Sequence, residues 1–487
     1  MKTDFSPKNL RIIERPGWNS LFEDLDLDST KIATAEMPGI ESEDLDASSR
    51  STTISPVLSL VDRIMVEALT SGASDIHVEP QDDGLLVRMR MDGVLHVLEL
   101  LPKTLAPAIT SRFKIMADLD ISERRMPQDG RIRRNYRGRT IDFRVSTLPS
   151  RQGEKVVLRL LDSSATELGL DHLITDPRAR TTLRSMGSKP FGMILVTGPT
   201  GSGKSTTLYA LLSERNNPDI NICTVEDPIE YTLKGITQTQ VNREKGLDFS
   251  TALRAFMRQD PDVMLVGETR DLETAQTAIE AALTGHLVLT TLHCNDAAGA
   301  FARLEEMGVE PFLVSSSLLG VVSQRLVRRV CQECRIPYQP TVEELAHFGL
   351  EVSDVHDITF HRARTTYEDG EKRCECCRGR GYADRVGVYE ILPMNEAISH
   401  AVAKRSSTDE LRRLALEAGM QTLLGYGLNL VRQGITTLEE VERILLTDTG
   451  VESERRARAL QSITCHGCGA GLEDEWLECP YCLRLRH

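Results

Sequence analysis

The stretch GPTGSGKS, Gly198 to Ser205, decides the fold of this chain. It directly follows an apolar run, Met193–Thr197, and precedes a helical stretch, Thr206–Leu212. This strand–loop–helix order is the context of a P-loop, whose glycines let backbone N–H groups turn towards phosphates at a helix N-terminus. Lys204 is expected to reach the β- and γ-phosphates of ATP, and the Ser205 hydroxyl to ligate Mg²⁺. The other predicted nucleotide-binding residues of the loop are Gly198, Pro199, Thr200, Gly201, Ser202, Gly203 and Thr206.

Three further apolar runs follow the P-loop and alternate with helical stretches. They are Ile222–Val225, Val263–Val266 and Leu287–Thr291. Alternation of this kind predicts an α/β fold with a mostly parallel sheet and helices on its faces. Ligands of such sheets bind at the carboxyl ends of the strands, so the side chains that follow each run are the candidates for chemistry.

Five polar side chains border these runs. Glu268, in the stretch DPDVMLVGETRD, stands just past its strand, where a carboxylate can orient the attacking water or the Mg²⁺ shell. Glu226 and Asp227 follow the second run and are placed at the same edge of the sheet. His286 and His293 flank the fourth run, where they could sense the γ-phosphate or link it to a neighbouring subunit, although a lone histidine is more often structural.

The composition is that of an ordinary soluble protein. The chain has 487 residues, of which 40% are apolar and 27% charged, and a net charge of −14. Such acidity disfavours non-specific nucleic-acid binding, which needs a cationic surface. No apolar run approaches the ~18–20 residues of a membrane span, and the N-terminus lacks the apolar stretch of a signal peptide. We therefore expect a soluble, cytoplasmic protein of several domains.

The chain before the P-loop divides into three parts. Residues 1–54 are expected to form a disordered acidic arm, since Leu21–Asp46 contains nine acidic residues and one basic one. Residues 55–162 combine helical and strand patterns and predict a small α+β domain. Residues 163–177 are interpreted as a linker to the core that contains the P-loop, which is assigned to 178–330.

Residues Glu123–Arg144 contain eight arginines and no lysine. Because the guanidinium fork suits phosphate oxygens, this cluster within an acidic chain suggests a local anion partner. The alternative is a solvated pair of strands. That alternative is favoured for four of the arginines, namely Arg133, Arg134, Arg137 and Arg139.

Two sets of cysteine pairs predict zinc. The first set, Cys331, Cys334, Cys374 and Cys377, lies in a predicted subdomain spanning 331–392, followed by a helical subdomain at 393–450. Paired thiolates at this spacing are typical of a closed, structural Zn²⁺ site, with a redox or merely buried cysteine cluster as the alternative. Cys376 makes the second pair ambiguous from spacing alone.

The second set lies at the end of the chain, in a predicted linker and zinc ribbon at 451–487. Its ligands are Cys465, Cys468, Cys479 and Cys482. Because so short a segment has almost no hydrophobic core, bound metal must supply the free energy of its folding. In comparable peptides the metal contributes of order 10–16 kcal/mol. We expect this module to dock onto a protein partner; binding to nucleic acid is the less well supported alternative.

Four motifs in the core give the chain a close resemblance to a known family. GPTGSGKSTTLYA, TVEDPIEY, DPDVMLVGETRD and TGHLVLTTLH resemble the nucleotide-binding boxes of the type II secretion and type IV pilus assembly ATPases. ASDIHVEP and ERRMPQDGRI upstream and QRLVRRVCQEC downstream extend the resemblance over about residues 55–447. It implies a RecA-like core behind a PAS-like small domain. The family pattern CxxCxxxGY also fits Cys374, Cys377, Gly381 and Tyr382, which leaves Cys376 as a bystander.

The resemblance also implies a function. Members of this family are Mg²⁺-dependent, homohexameric cytoplasmic motors, peripheral on the inner membrane, that drive pseudopilus or pilus assembly through an inner-membrane platform protein. A membrane-anchored docking protein is a second candidate partner. In similar ATPases, arginines at the positions of Arg131 and Arg144 close over the γ-phosphate as arginine fingers; the sequence does not decide whether they serve their own or a neighbouring chain.

Three rival interpretations remain. A pilus retraction ATPase would share the core, but retraction relatives usually lack the four-cysteine insertion. A nucleic-acid translocase is disfavoured by acidity and by the lack of an aromatic and basic stretch. A scaffold that binds ATP without hydrolysing it is disfavoured by the presence of Lys204, Ser205 and Glu268. The chain departs from the family in having a short acidic arm in place of a folded N-terminal docking domain, and in its terminal ribbon.

Overall fold

The computed structural model describes residues 56–161, 169–348, 350, 359–368, 370–445, 463–464 and 471–472. Contacts divide the chain into two compact units, the first ending at Ser164 and the second beginning at Ala165. The predicted acidic arm, residues 1–54, lies outside the described residues, as do the four cysteines of the predicted terminal ribbon. Those two interpretations stay predictions.

Residues 56–161, the described part of the first unit, form a six-stranded antiparallel sheet with two α-helices. The helices are α1 (Pro56–Ser71) and α2 (Ala106–Met116), and the strands are β1 (Asp75–Pro80), β2 (Leu85–Met91), β3 (Val94–Leu101), β4 (Gln128–Tyr136), β5 (Arg139–Ser150) and β6 (Gly153–Leu161). The strand order is β3-β2-β1-β6-β5-β4. Apolar side chains of α1 and α2, such as Ile64 and Phe113, form one core with alternate strand residues such as Ile76 and Val87. This agrees with an α+β unit.

The second unit is built on a seven-stranded sheet. Its strands are β7 (Gly192–Thr197), β8 (Ile222–Glu226), β9 (Thr237–Gln240), β10 (Val263–Val266), β11 (Leu287–Leu292), β12 (Leu318–Val330) and β15 (Tyr382–Pro393), with a small separate pair, β13 (Ile336–Tyr338) and β14 (Phe360–Arg362). The order is β15-β12-β7-β11-β10-β8-β9, and all neighbours are parallel except β12 and β15. A short strand pair, β16 (Ile463–Thr464) with β17 (Gly471–Leu472), lies near the end of the chain.

Helices cover both faces of this sheet. They are α3 (Leu170–Leu173), α4 (Pro177–Gly187), α5 (Lys204–Arg215), α6 (Phe249–Phe256), α7 (Leu272–Leu283), α8 (Gly299–Glu306), α9 (Pro311–Ser317), α10 (Val342–His347), α11 (Glu396–Ala403), α12 (Thr408–Glu417), α13 (Leu423–Arg432) and α14 (Leu438–Leu445). Every residue of β7 is buried, with Ile194 and Val196 in one core and Met193 and Leu195 in the other. The continuous apolar run before the P-loop is therefore a strand covered on both faces, as predicted.

Two predicted boundaries are wrong in detail. The linker assigned to 163–177 includes α3, and Leu170 and Ile174 are fully buried in the core of the second unit, because their apolar side chains pack beneath the sheet. The zinc subdomain assigned to 331–392 includes β15, which pairs along β12 and so completes the core sheet.

None of the helices within the described ranges is long and apolar enough to cross a membrane.

Candidate active site

The P-loop joins the central strand β7 to helix α5. Gly203 precedes the helix with φ of 86°, a left-handed conformation that L side chains rarely adopt, and a Cβ there would lie 2.8 Å from the Gln324 amide. A Cβ on Gly198 would meet the carbonyl oxygen of Gln324 at 2.5 Å. Glycine is therefore required at both ends of the loop, where the backbone passes close to β12.

Lys204 is held against the loop that it serves. Its Nζ donates to the carbonyl oxygens of Gly198, at 2.8 Å, and Pro199, at 3.1 Å. Burial lowers the pKa of Lys204, and the Glu268 carboxylate partly opposes that effect. The ammonium group is thus placed at the start of the phosphate cradle and within the electrostatic reach of Glu268.

Glu268 and His293 are brought together, as their positions after two strands predict. β10 and β11 are parallel neighbours, so both residues emerge at the carboxyl edge of the sheet beside the P-loop. The Nε2 atom of His293 lies 3.2 Å from the Glu268 carboxylate, and the Arg270 guanidinium lies 2.6 Å from it. The Glu268 side chain is 18% exposed, so it keeps access to solvent between its two partners. The sequence did not single out Arg270 as a site residue, although it stands in the same motif as Glu268.

Glu226 sits at the same edge but is enclosed. Its carboxylate accepts hydrogen bonds from the Thr224 hydroxyl at 2.6 Å, from the Gln238 amide at 3.2 Å and from the Tyr209 hydroxyl. Only 5% of the residue is exposed, and burial together with this carboxylate raises the pKa of Tyr209. Because its carboxylate is engaged by these three donors, Glu226 is better suited to positioning α5 against β8 than to contacting a reacting water.

The other two candidate residues, Asp227 and His286, do not join the contact between Glu268 and His293. Asp227 is exposed, follows β8, and its carboxylate accepts from Arg243 at 3.0 Å. His286 precedes β11, at the amino edge of the sheet, and its Nδ1 lies 2.9 Å from the carbonyl oxygen of Ala281. The assignment of His286 to nucleotide binding in its own chain is therefore corrected, because a strand length separates it from the P-loop edge.

The two candidate arginines of the first unit form a cross-strand pair. Arg131 on β4 is directly opposite Arg144 on β5, and Arg144 is opposite Arg159 on β6. Like charges directly opposite each other are destabilising in a sheet, and an anion bound between them removes that cost. Arg133, in contrast, lies opposite Asp142 and pairs with it at 2.8 Å. Arg144 also lies 4.0 Å from the Asp129 carboxylate, and the division between anion-binding and solvated arginines stays a prediction.

The four cysteines of the first set meet in space. Cys331 and Cys334 follow β12, while Cys374 and Cys377 precede β15, and the antiparallel pairing of these strands brings the two pairs together. All four Sγ atoms lie within 4.8 Å of one another, with separations of 3.8 Å for Cys331–Cys374 and 3.5 Å for Cys334–Cys377. Tetrahedral zinc with Zn–S bonds of about 2.3 Å places sulfurs about 3.8 Å apart. The cluster therefore fits zinc, and Cys376 is exposed outside it.

This constellation of P-loop, carboxylate and histidine on a parallel sheet defines the class of P-loop ATPases. The family model "Type II/IV secretion system protein" matches residues 50–443. The chain belongs to that family, which confirms the resemblance and the prediction of a secretion ATPase.

Two curated relatives illustrate the range of the family. The type IV pilus assembly ATPase PilB of Myxococcus xanthus is 47% identical over 402 residues, which are 82% of this chain and 70% of that protein. The type II secretion system ATPase E of Vibrio cholerae is 44% identical over 445 residues, 91% of this chain and 86% of that protein.

Solved structures agree with the fold. The pilus retraction motor PilT with bound ADP has a TM-score of 0.54 at 28% identity and covers 81% of this chain and 98% of its own. The ATPase DotB of Legionella pneumophila has a TM-score of 0.57 at 22% identity, over 81% of this chain and 96% of its own, and supports the fold alone.

Proposed function

We propose that the chain is a Mg²⁺-dependent ATP-hydrolysing motor that powers pseudopilus or pilus assembly. The observation that carries the proposal is the Glu268–His293 contact of 3.2 Å at the sheet edge where the P-loop lies. A carboxylate oriented by a second group, beside a phosphate cradle, suits the activation of water for attack on the γ-phosphate.

Each residue of the site has a role in this proposal. Lys204 leaves the carbonyls of Gly198 and Pro199 to neutralise phosphate charge, and Glu268 accepts the proton of the attacking water while His293 holds its carboxylate. The Ser205 hydroxyl would be the protein ligand of Mg²⁺, and the ion would supply neutralisation of the phosphate charge. The backbone N–H groups of the loop hold the phosphates in place.

The proposed motor function also implies a direction of action and a set of partners. The names of the relatives, a pilus assembly ATPase and a secretion ATPase, support an assembly role over retraction. We propose a homohexamer at the cytoplasmic face of the inner membrane, acting through a platform protein, with a membrane-anchored docking protein as a further partner. A net charge of −14 argues against the nucleic-acid translocase, whose hydrolysis would be stimulated by DNA.

Zinc is proposed for both cysteine sets. At the described cluster, Cys331 and Cys377 are buried, and burial raises the pKa of the Cys334 and Cys377 thiols, so a cation is needed to hold them as thiolates. All four ligands come from the protein, which suits a structural role. Nearby backbone bonds, such as Val330 N–H to Ile435 O at 2.9 Å, join this end of β12 to the helical segment.

The cysteine cluster gives a direct prediction. A Cys331→Ser, Cys374→Ser double variant is expected to contain one zinc ion fewer per chain than the wild type and to melt at a lower temperature, because structural zinc contributes folding free energy. Metal content by mass spectrometry and thermal unfolding measure both effects. Cys376→Ser is the matched control and should keep the wild-type zinc content, since this thiol is exposed outside the cluster. Equal zinc content in the double variant and the wild type would contradict the site.

ATP hydrolysis is tested by phosphate release from the full chain with and without Mg²⁺. The Lys204→Ala variant is expected to lose activity and to bind ATP roughly 10- to 100-fold more weakly, since a charge-assisted contact to phosphate is lost. Lys189→Ala, an exposed lysine before β7, is the matched control. A wild-type chain that binds ATP and releases no phosphate would favour the scaffold interpretation and contradict this proposal.

A further inference from the structure

Arg325 lies beside the P-loop although it belongs to none of the four nucleotide-binding motifs. Strand β12 runs parallel to β7, and Ser323 is paired with Thr197, the last residue before the loop. Two residues further on, the Arg325 guanidinium lies 3.3 Å from the point where a Cβ on Gly198 would be. The side chain is therefore in contact range of the first turn of the phosphate cradle.

The same guanidinium also contacts the segment that follows β11. One terminal nitrogen donates to the carbonyl oxygen of Asn295 at 2.7 Å, and the other donates to the carbonyl oxygen of Gln324 at 3.0 Å. Asn295 stands two residues after His293, whose ring contacts Glu268. Arg325 thus joins β12, at the point where it passes the start of the P-loop, to the segment that carries the histidine of the hydrolytic pair.

The segment after His293 has a second attachment to the same strands. The Ser323 hydroxyl lies 3.4 Å from the Asn295 carbonyl, and the buried Glu390 on β15 accepts from the Ala297 N–H at 2.7 Å. Glu390 and Asp296 are the carboxylates that face Arg325, and they oppose the lowering of its pKa by burial. The backbone beyond His293 is therefore fixed by side chains of β12 and β15, and one of these side chains, that of Arg325, also lies beside the P-loop.

We propose that Arg325 is a positioning residue for hydrolysis. By tying β12, beside Gly198, to the carbonyl oxygen of Asn295, it sets the distance between the phosphate cradle and the Glu268–His293 pair. The inference rests on the proposed hydrolytic roles of those two residues. A displacement of about 1 Å between reacting groups can cost on the order of 10²-fold in rate, so a bridge at this point controls turnover with little effect on nucleotide affinity.

The test uses Arg325→Lys in the full chain. Lysine keeps the positive charge beside Lys204 but not the planar fork that reaches two carbonyls. We expect kcat to fall roughly 10- to 100-fold while the affinity for a fluorescent ATP analogue changes little. Arg329→Lys, four residues further along β12, is the matched control and should retain wild-type kcat. Thermal unfolding of each variant shows whether the fold is intact.

A double-mutant cycle separates this role from a general structural one. If Arg325 acts through His293, the Arg325→Lys change should cost much less in a His293→Ala background than in the wild type. If Arg325→Lys lowers kcat by the same factor in both backgrounds, the proposal is overturned. A decrease in ATP affinity with unchanged kcat would also overturn it, because Arg325 would then be a phosphate ligand. The cycle compares the kcat of four proteins, namely the wild type, the two single variants and the double variant. A failure of ATP hydrolysis itself is detected separately, in the comparison of the wild type with Lys204→Ala.

Discussion

Replacing Arg131 and Arg144 together by alanine is expected to lower ATP turnover by roughly 10³–10⁵-fold, the range of an arginine finger. The two guanidinium groups are directly opposite each other on β4 and β5, and Arg159 continues the row on β6. Asp129 lies 4.0 Å from Arg144 and Asp75 lies 2.9 Å from Arg159, so this row of like charge is partly neutralised within the sheet, and a transferring phosphoryl group would supply a further anion. ATP binding should persist, since the P-loop and Lys204 are untouched.

The matched control is Arg133→Gln with Asp142→Asn. These residues lie two positions further along the same strands and pair with each other at 2.8 Å, so the control changes two side chains without changing net charge. Its turnover should remain near that of the wild type. Steady-state phosphate release and ATP affinity are measured for both proteins, and wild-type turnover in the arginine double variant would end the arginine-finger assignment.

Glu268→Gln is expected to reduce turnover by about 10²–10⁴-fold and to leave ATP bound. The amide keeps the size and one acceptor of the carboxylate, but it cannot take a proton from water. It also loses the charge that lies 3.2 Å from the His293 ring and 2.6 Å from the Arg270 guanidinium. Single-turnover hydrolysis separates the chemical step from ATP binding.

Glu280→Gln provides the comparison for this variant. Glu280 is exposed near the end of α7, so its substitution removes the same charge at a distance from the site. It should hydrolyse ATP at the wild-type rate. Comparable turnover in Glu268→Gln and Glu280→Gln would exclude Glu268 as the catalytic carboxylate.

The core of the fold was predictable because its signal is local. A P-loop must follow a strand, and the strand must be apolar on both faces in a parallel sheet, so the run at Met193–Thr197 located the central strand to within one residue. The same logic placed Glu268 and His293 at one edge. Strand β4 was harder to recognise because its sequence is rich in arginine, and only Ile132 and Tyr136 turn to the core.

Three features of the site depended on contacts that spacing does not encode. Glu226 is enclosed by the hydroxyls of Tyr209 and Thr224, partners that motif position does not show. His286 looked equivalent to His293 because both flank one strand, yet opposite ends of a strand face opposite edges of the sheet. Arg325 enters the site from β12, a strand whose register with β7 only the structure supplies.

The cysteine cluster was predictable from the sequence only in part. The CxxC spacing predicted each pair as half of a zinc site, and the resemblance to the family selected Cys374 and Cys377 over Cys376. The 39 residues between the pairs gave no indication of how they meet. The antiparallel register of β12 with β15, which pairs Val330 with Tyr382, explains it.

The most direct test of the motor proposal is to purify Glu268→Gln, expressed at native level, from solubilised membranes and to identify the co-purifying molecules by mass spectrometry. Slow hydrolysis should hold the ATP-bound complex together during purification. A polytopic inner-membrane platform protein should be recovered, together with the pilins or pseudopilins of the machine that the motor drives. Recovery of nucleic acid, or of soluble proteins alone, would contradict it.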